Sequence, residues 1–236
     1  MDFNVQNFVK KVLKPSKCVV CDNIILGGCY VDTYGNKVCM HHKDKATYCL
    51  SCGRLSSKEK SKHIGQDQYI CEICSSHCPP DKTIPSITEY VRKVLTEHGI
   101  DGIPSFTLHR VELSELQRRT GRFCEGCASY NGTTSDIYIL KYLSRTCYAS
   151  VLAHEMLHLW QFKNRISPRQ DICEGFCNLG SYEVLKSIGT EVALSRITNL
   201  EKDPDPIYGD GFRKVKSVYD TGGWQKVIDK IKRTKK

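Results

Sequence analysis

Four pairs of metal-binding residue types, each with two residues between its members, constrain the first third of the chain. The pairs are Cys18 with Cys21, Cys39 with His42, Cys49 with Cys52, and Cys71 with Cys74. The gaps between the first and second pairs and between the third and fourth are 17 and 18 residues. Such a spacing brings two donors to one ion from a tight turn, and tetrahedral zinc needs two such pairs. The pattern predicts two structural zinc sites, one from the first two pairs and one from the last two.

Some ligand alternatives remain open within this pattern. His41 is adjacent to His42 and is a second candidate for site one, and His77 follows Cys74 closely enough to compete at site two. Cys29 and Cys78 are expected to bind no metal. The segment 16–80 is poor in long apolar runs, so we expect it to need metal in order to fold.

The first residues of the sequence and its cysteine content indicate a cellular compartment. The chain has 14 cysteines, and its first residues lack the basic and apolar regions of a signal peptide. In a reducing compartment cysteines favour metal over disulfides. We therefore expect a cytoplasmic protein without a membrane span.

The formal net charge of +9 raises the possibility of nucleic-acid binding. Seven zinc-bound thiolates and two zinc ions would remove about three of these charges. Part of the remaining excess lies in the terminal segment 226–236, which is typical of a solvated helix end. Since no basic stripe is interleaved with aromatic residues, nucleic acid is not an expected partner.

The hydrophobic pattern predicts three regions: an amphipathic N-terminal helix (1–15), a double zinc-knuckle module (16–80) and a larger domain (81–236). In the last region we predict helices over 86–97, 114–120, 144–164, 168–188 and 226–232, and strands over 105–111 and 136–143. Strands followed by long helices indicate an α+β fold.

One predicted helix carries the sequence His154-Glu155-Met156-Leu157-His158. Residues four apart lie one turn apart on the same helix face, so both imidazoles can bind one ion. Glu155 can then reach a metal-bound water and act as the general base. The apolar residues on both sides argue against a merely charged surface helix.

Catalytic zinc keeps three protein ligands and one open position, so a third ligand is required. Glu174 follows His158 by 16 residues, which allows a turn near Pro168 and a return on a second helix. Asp171 and Glu183 are rival ligands. Asn178, one turn after Glu174, is predicted to orient a ligand histidine.

Other residues are placed less firmly by the sequence. Cys124 and Cys127 form one further pair, with Cys147 or Cys173 as possible co-ligands, but no second pair matches it. The segment 128–131 is predicted to be a strand that pairs with substrate backbone. The candidates for stabilising an oxyanion are Tyr182, Tyr148 and His109.

The motifs resemble two known families. The paired knuckles resemble a LIM domain, although Cys39 precedes His42 and six residues separate His42 from Cys49. The segment 137–178 resembles the peptidase domain of the LIM-domain peptidases of the DA-one family. The matching residues are Ile139-Leu140, Leu143-Ser144-Arg145, Leu152 to His158, Trp160, Glu174-Gly175 and Cys177.

The DA-one resemblance implies a zincin-like domain of gluzincin type, with two histidines and a downstream glutamate on zinc, and endopeptidase activity. In plants it also implies activation by ubiquitination. The ubiquitin-interacting helices of the plant proteins have no counterpart in 1–15, so ubiquitin is the weaker partner expectation. Thermolysin-like gluzincins have Asp where this chain has Asn178.

The combined expectation is a zinc peptidase that binds one catalytic and two structural zinc ions. It would act on protein substrates, with the LIM-like module binding a protein partner and taking no part in bond cleavage. The alternative is a zinc-binding interaction scaffold with an inactive peptidase domain.

Overall fold

A computed structural model describes residues 16–234 of the chain, so the predicted helix over 1–15 lies outside the described residues. The strands are β1 (Cys29–Val31), β2 (Lys37–Cys39), β3 (Ala46–Tyr48), β4 (Leu55–Ser57), β5 (Lys62–Gly65), β6 (Gln68–Ile70), β7 (Thr107–Val111), β8 (Gly126–Tyr130) and β9 (Ser135–Leu140). The helices are α1 (Glu72–Ser76), α2 (Ile84–Glu97), α3 (Leu113–Thr120), α4 (Arg145–Lys163), α5 (Gln170–Ile188), α6 (Glu191–Lys202) and α7 (Gly209–Lys232).

The cysteine-rich segment consists of three short antiparallel hairpins, β1–β2, β3–β4 and β5–β6. Two small cores lie beneath them, and the metal-binding cysteines make up most of one. That core contains Cys49, Cys52, Cys71 and Cys74 with a single large aliphatic side chain, Ile70. The other contains Cys18, Val38 and Leu55. So little buried apolar area cannot offset the entropy of ordering the chain, which agrees with a fold that depends on metal.

The larger region contains one three-stranded sheet among its described residues, in the order β7-β9-β8. The central strand β9 runs parallel to β7 and antiparallel to β8, so β8 is an edge strand. The side chains of Ser135, Ile137 and Ile139 are buried, while those of Asp136 and Tyr138 are partly exposed, as expected for a strand with one face on the core. The predicted strand over 136–143 ends early, at Leu140, because the chain then turns into α4.

Helices α4 and α5 pack side by side in the main core, and both appear close to their predicted positions. A Cβ added at Gly180 of α5 would lie 2.4 Å from Leu157 Cδ1 of α4, so this glycine allows the close approach. Gly175 allows a second close approach, between α5 and α7. A Cβ there would lie 2.2 Å from the backbone oxygen of Gly211, so Gly175 brings α7 against α5.

Two helical segments after Gly189 were not predicted: α6 and the first half of α7. A usable signal was present at Thr190, whose hydroxyl caps α6 by accepting a bond from Ala193 N–H. Helix α7 was predicted only over 226–232 and is broken at Gly222 and Gly223, whose backbone angles are not helical.

The described residues thus form a mixed structure of helices and small sheets, with cysteine-rich clusters at its N-terminal side. Within residues 16–234, no helix has the length and apolar character needed to cross a membrane.

Candidate metal centres and cleft

The donor atoms of site one, Cys18, Cys21, Cys39 and His42, all lie within 4.8 Å of one another. His42 Nδ1 is 3.0 Å from Cys39 Sγ. His41 is not in the cluster, so the structure favours His42 of the two candidates. Burial raises the pKa of the Cys18 thiol, but backbone N–H groups, that of Cys39 foremost, lower it to about 6. A thiol that ionises readily is suited to bind metal.

Site two gathers Cys49, Cys52, Cys71 and Cys74, again with all donor atoms within 4.8 Å, and all four residues are buried. Backbone N–H groups stabilise the sulfurs, since Cys71 N donates to Cys49 Sγ at 3.2 Å. His77 takes no part in the cluster, because its Nδ1 pairs with the carbonyl oxygen of Ile73 at 2.7 Å. Both four-residue clusters are compatible with zinc.

A third set of donors lies between α4 and α5. His154 Nε2 and His158 Nε2 are 3.1 Å apart. Glu174 Oε2 lies 3.1 Å from His154 Nε2 and 3.5 Å from His158 Nε2. The helix spacing of four residues places the imidazoles on one face, and the antiparallel return of α5 brings the carboxylate to them.

Both rival carboxylates lie elsewhere. Asp171 pairs with Arg169 and Lys214. Glu183 pairs with Lys186 and His98. Of the three acidic candidates, the structure brings only Glu174 to the histidines.

The second ring nitrogen of each histidine also has a partner. Asn178 Oδ1 lies 3.0 Å from His154 Nδ1, in the orienting position predicted for it. His158 Nδ1 faces two sulfurs, those of Cys177 at 3.5 Å and Cys173 at 3.8 Å, and this contact was not predicted from the sequence. Cys177 is close enough to form a donor group with both histidines. The two Nε2 atoms point towards Glu174 instead, so we take Glu174 as the third donor and the sulfurs as partners that orient His158.

Glu155 lies beside this set and faces the edge strand β8. It is almost fully buried, and Ala128 N–H donates a bond to its carboxylate. A Cβ at Gly126 would be 3.1 Å from Glu155 Oε1, so β8 approaches the carboxylate closely. Burial raises the pKa of Glu155, although the neighbouring histidines act in the opposite direction. A carboxylate with a raised pKa is a stronger base.

The pKa of Glu174 is shifted in the opposite direction from the pKa of Glu155. Burial acts to raise the pKa of Glu174, but hydrogen bonds from His154 and His158 hold it well below its usual range. This carboxyl group is therefore ionised at neutral pH, as a metal ligand must be. Two carboxylates in one site thus have opposite pKa shifts, which suits different roles.

A cleft of about 460 Å³ opens over His154 and Glu155. Tyr208 and Asn178 line it, and the Tyr208 carbonyl accepts a bond from Asn178 Nδ2 at 3.2 Å. Burial raises the pKa of the Tyr208 phenol to about 12, so it keeps its proton at neutral pH. No sequence pattern points to this tyrosine, because it lies in a turn 30 residues after Asn178.

The three predicted oxyanion candidates lie outside this cleft, which corrects that expectation. Tyr148 is fully buried and its hydroxyl has no partner among the described residues. Tyr182 packs against Phe212 on α7. His109 bonds to Asp136 across the sheet at 2.8 Å. Each was chosen for its side-chain chemistry, but the direction of the side chain depends on packing.

The remaining cysteines form no further cluster of three or more donors within residues 16–234. Cys124 borders the cleft, and burial raises the pKa of Cys124 and Cys127. Cys78 donates to the carbonyl of Lys141 at 2.8 Å. Cys29 pairs with Cys39 only through the β1–β2 register.

The module contributes one residue to the lining of the cleft. Leu50, between the site-two ligands Cys49 and Cys52, lines the cleft together with Glu155. Its neighbour Ser51 is fully buried, and its hydroxyl oxygen accepts a bond from Ser144 N–H at the start of α4.

Comparison with known proteins gives one distant relative. Protein DA1 of Arabidopsis thaliana is 28% identical over 127 residues, which cover 42% of this chain and 24% of DA1. The chain therefore matches about a quarter of that protein's length. No protein-family model matches the chain. No solved structure matches it either. Together with the cysteine clusters, the similarity supports a metal-binding protein of DA1 type with a LIM-like module.

Proposed function

We propose that this protein is a zinc-dependent peptidase of zincin-like fold that hydrolyses peptide bonds in protein substrates. The observation that carries the proposal is the placement of the Glu155 carboxylate in a cleft beside three converging donors, His154, His158 and Glu174. A structural zinc site is closed by four protein ligands and does not need a buried general base beside it. The distant similarity to DA1 adds support.

The donor set fits zinc. Tetrahedral zinc with bonds of ~2.0–2.1 Å to nitrogen places two nitrogens roughly 3.3 Å apart. The two Nε2 atoms are 3.1 Å apart. His154, His158 and Glu174 would hold the ion. When bound there, zinc acts as a Lewis acid on the scissile carbonyl and lowers the pKa of water.

The chain's own residues account for the rest of the reaction. Glu155 accepts a proton from the attacking water and delivers it to the nitrogen of the departing amine. Strand β8 is an edge of the sheet and lies next to Glu155, so an extended substrate can add to the sheet there. The Tyr208 hydroxyl, protonated and in the cleft, can donate to the oxygen that becomes negative.

A protein partner for the module is also proposed. On its first knuckle, Leu26 is 96% exposed, and Ile24 and Met40 are more than half exposed. Exposed aliphatic side chains grouped in this way are typical of protein-binding surfaces. This surface borders the site-one donors Cys21, Cys39 and His42, and none of its three apolar residues lines the cleft.

The test is Glu155→Gln, measured as cleavage of casein together with zinc content. Gln keeps the shape of the side chain but cannot accept the proton, so turnover should fall by ~100- to 10,000-fold with all zinc retained. Glu183→Gln is the matched control, since Glu183 is equally buried but lies outside the cleft. If Glu155→Gln cleaves as fast as the wild type, the proposal is wrong and the scaffold alternative gains support.

A further inference from the structure

The second knuckle is fixed rigidly to the helix that carries the histidines. Ser51 lies between two site-two ligands and is fully buried. Its hydroxyl oxygen is 3.0 Å from Ser144 N, and its carbonyl accepts a bond from Cys147 Sγ at 2.8 Å. Because Cys49 and Cys52 belong to one cluster, the backbone between them has little freedom. The knuckle and the start of α4 therefore form one rigid unit.

An ion pair extends this contact to the strand beside Glu155. Arg196 on α6 donates to the Ser51 carbonyl at 2.9 Å and to both carboxylate oxygens of Glu125. Glu125 immediately precedes Gly126, whose backbone lies against the Glu155 carboxylate. The charges of Arg196 and Glu125 neutralise each other, so neither is free to pair with a substrate charge.

Leu50 occupies the position on this unit that faces the cleft. It is half-buried, and its N–H donates to the Tyr69 carbonyl at 2.8 Å, which fixes its backbone. Val151 and Leu200 line the same cleft. Three aliphatic side chains from the module, α4 and α6 thus border one space next to the base.

We propose that the second knuckle is one wall of the substrate cleft, and that Leu50 makes the cleft select an aliphatic side chain beside the scissile bond. This inference rests on the proposed peptidase function. An aliphatic side chain gains by leaving water, whereas a charged one must be desolvated among Leu50, Val151 and Leu200. Asp203 and Arg122 at the border of the cleft are the competing determinants: Asp203 would favour a basic side chain and Arg122 an acidic one.

The experiment uses three hydroxamate ligands that differ in one side chain: methyl, isobutyl or aminobutyl. Their dissociation constants are measured by calorimetry on the zinc-loaded full chain. For the wild type, the isobutyl ligand should bind about tenfold more tightly than the methyl ligand, and the aminobutyl ligand no better than methyl. In Leu50→Ala the advantage of the isobutyl ligand over the methyl ligand should fall to about threefold or less.

Leu26→Ala is the control, because it removes the same side chain from an exposed site on the other knuckle. It should keep the tenfold advantage. Leu50→Val, a smaller truncation, provides the test if Leu50→Ala does not fold, and should give an intermediate advantage. An unchanged advantage of the isobutyl ligand in the folded Leu50 variant, or a preference for the aminobutyl ligand, overturns this inference but leaves the proposed peptidase function standing. If no hydroxamate binds the zinc-loaded protein, the proposed peptidase function fails as well.

Discussion

The two knuckle clusters and the centre between α4 and α5 use similar donors in different numbers. Each knuckle cluster gathers four cysteine or histidine donors, which is the number that a tetrahedral zinc site needs. The helical centre brings three donors together beside a buried carboxylate and a cleft. Under the proposed function, donor count and access, rather than residue type alone, separate the structural sites from the reactive one.

The core around α4 and α5 and the cysteine-rich module also differ in the number of buried apolar side chains that stabilise them. The core around α4 and α5 contains some thirty buried side chains, mostly large and apolar, whereas the module's cores consist largely of its own ligand cysteines. Removing metal should therefore have opposite structural consequences in the two regions. The following predictions test this contrast and are ordered from the largest expected effect to the smallest.

Removal of all zinc by a strong chelator should abolish casein cleavage and unfold the module, while α4 and α5 remain folded. The helices keep their apolar core, but the cysteines and the histidine of the module lose the zinc ions that would hold them together. Hydrogen exchange should show lost protection over 16–77 and retained protection over 150–185. Elemental analysis before chelation should give three zinc ions per chain. Equal loss of protection in both regions would remove the contrast.

Glu174→Gln should weaken zinc binding at the helical centre by roughly 100-fold or more and leave two zinc ions bound. The amide lacks the negative charge that the carboxylate brings to the ion. Glu183→Gln, on the same helix, should leave three. Zinc content after dialysis against a buffered zinc series measures both. Loss of zinc in Glu183→Gln, or no loss of zinc in Glu174→Gln, would contradict the assignment of Glu174 as the ligand.

Asn178→Ala should weaken zinc at the same centre by about tenfold, because His154 loses the oxygen that orients its ring. The knuckle sites should be unaffected. Asn199→Ala, on α6 and away from the histidines, is the control. The same titration measures it, and an effect as large as that of Glu174→Gln would indicate that Asn178 binds the ion directly.

Ser51→Ala should destabilise the folded protein by about 1–2 kcal/mol, because the buried Ser144 N–H loses its acceptor. Ser217→Ala, an exposed serine on α7, should change the free energy of unfolding by less than ~0.5 kcal/mol. Urea denaturation with zinc present measures both variants. No difference between them would mean that the knuckle and α4 are not coupled through this bond.

Much of the metal chemistry could be predicted from the sequence because it depends on local geometry. Two-residue spacings suit tight turns, and a four-residue spacing on a helix aligns His154 with His158 whatever packs around them. Predicting the position of Glu174 required only a second helix of suitable length that runs back along the helix carrying the two histidines. These residues lie where predicted, although their binding of zinc stays a prediction.

The residues that complete the cleft were decided only by tertiary structure. Tyr208 comes from a turn and Leu50 from the module, and nothing in their sequence spacing links them to His154. Tyr182, Tyr148 and His109 had suitable chemistry, but packing directs their side chains elsewhere. Sequence periodicity fixes which residues share a face of one element; which faces meet depends on close packing of the whole core, including the contact of Gly175 with Gly211.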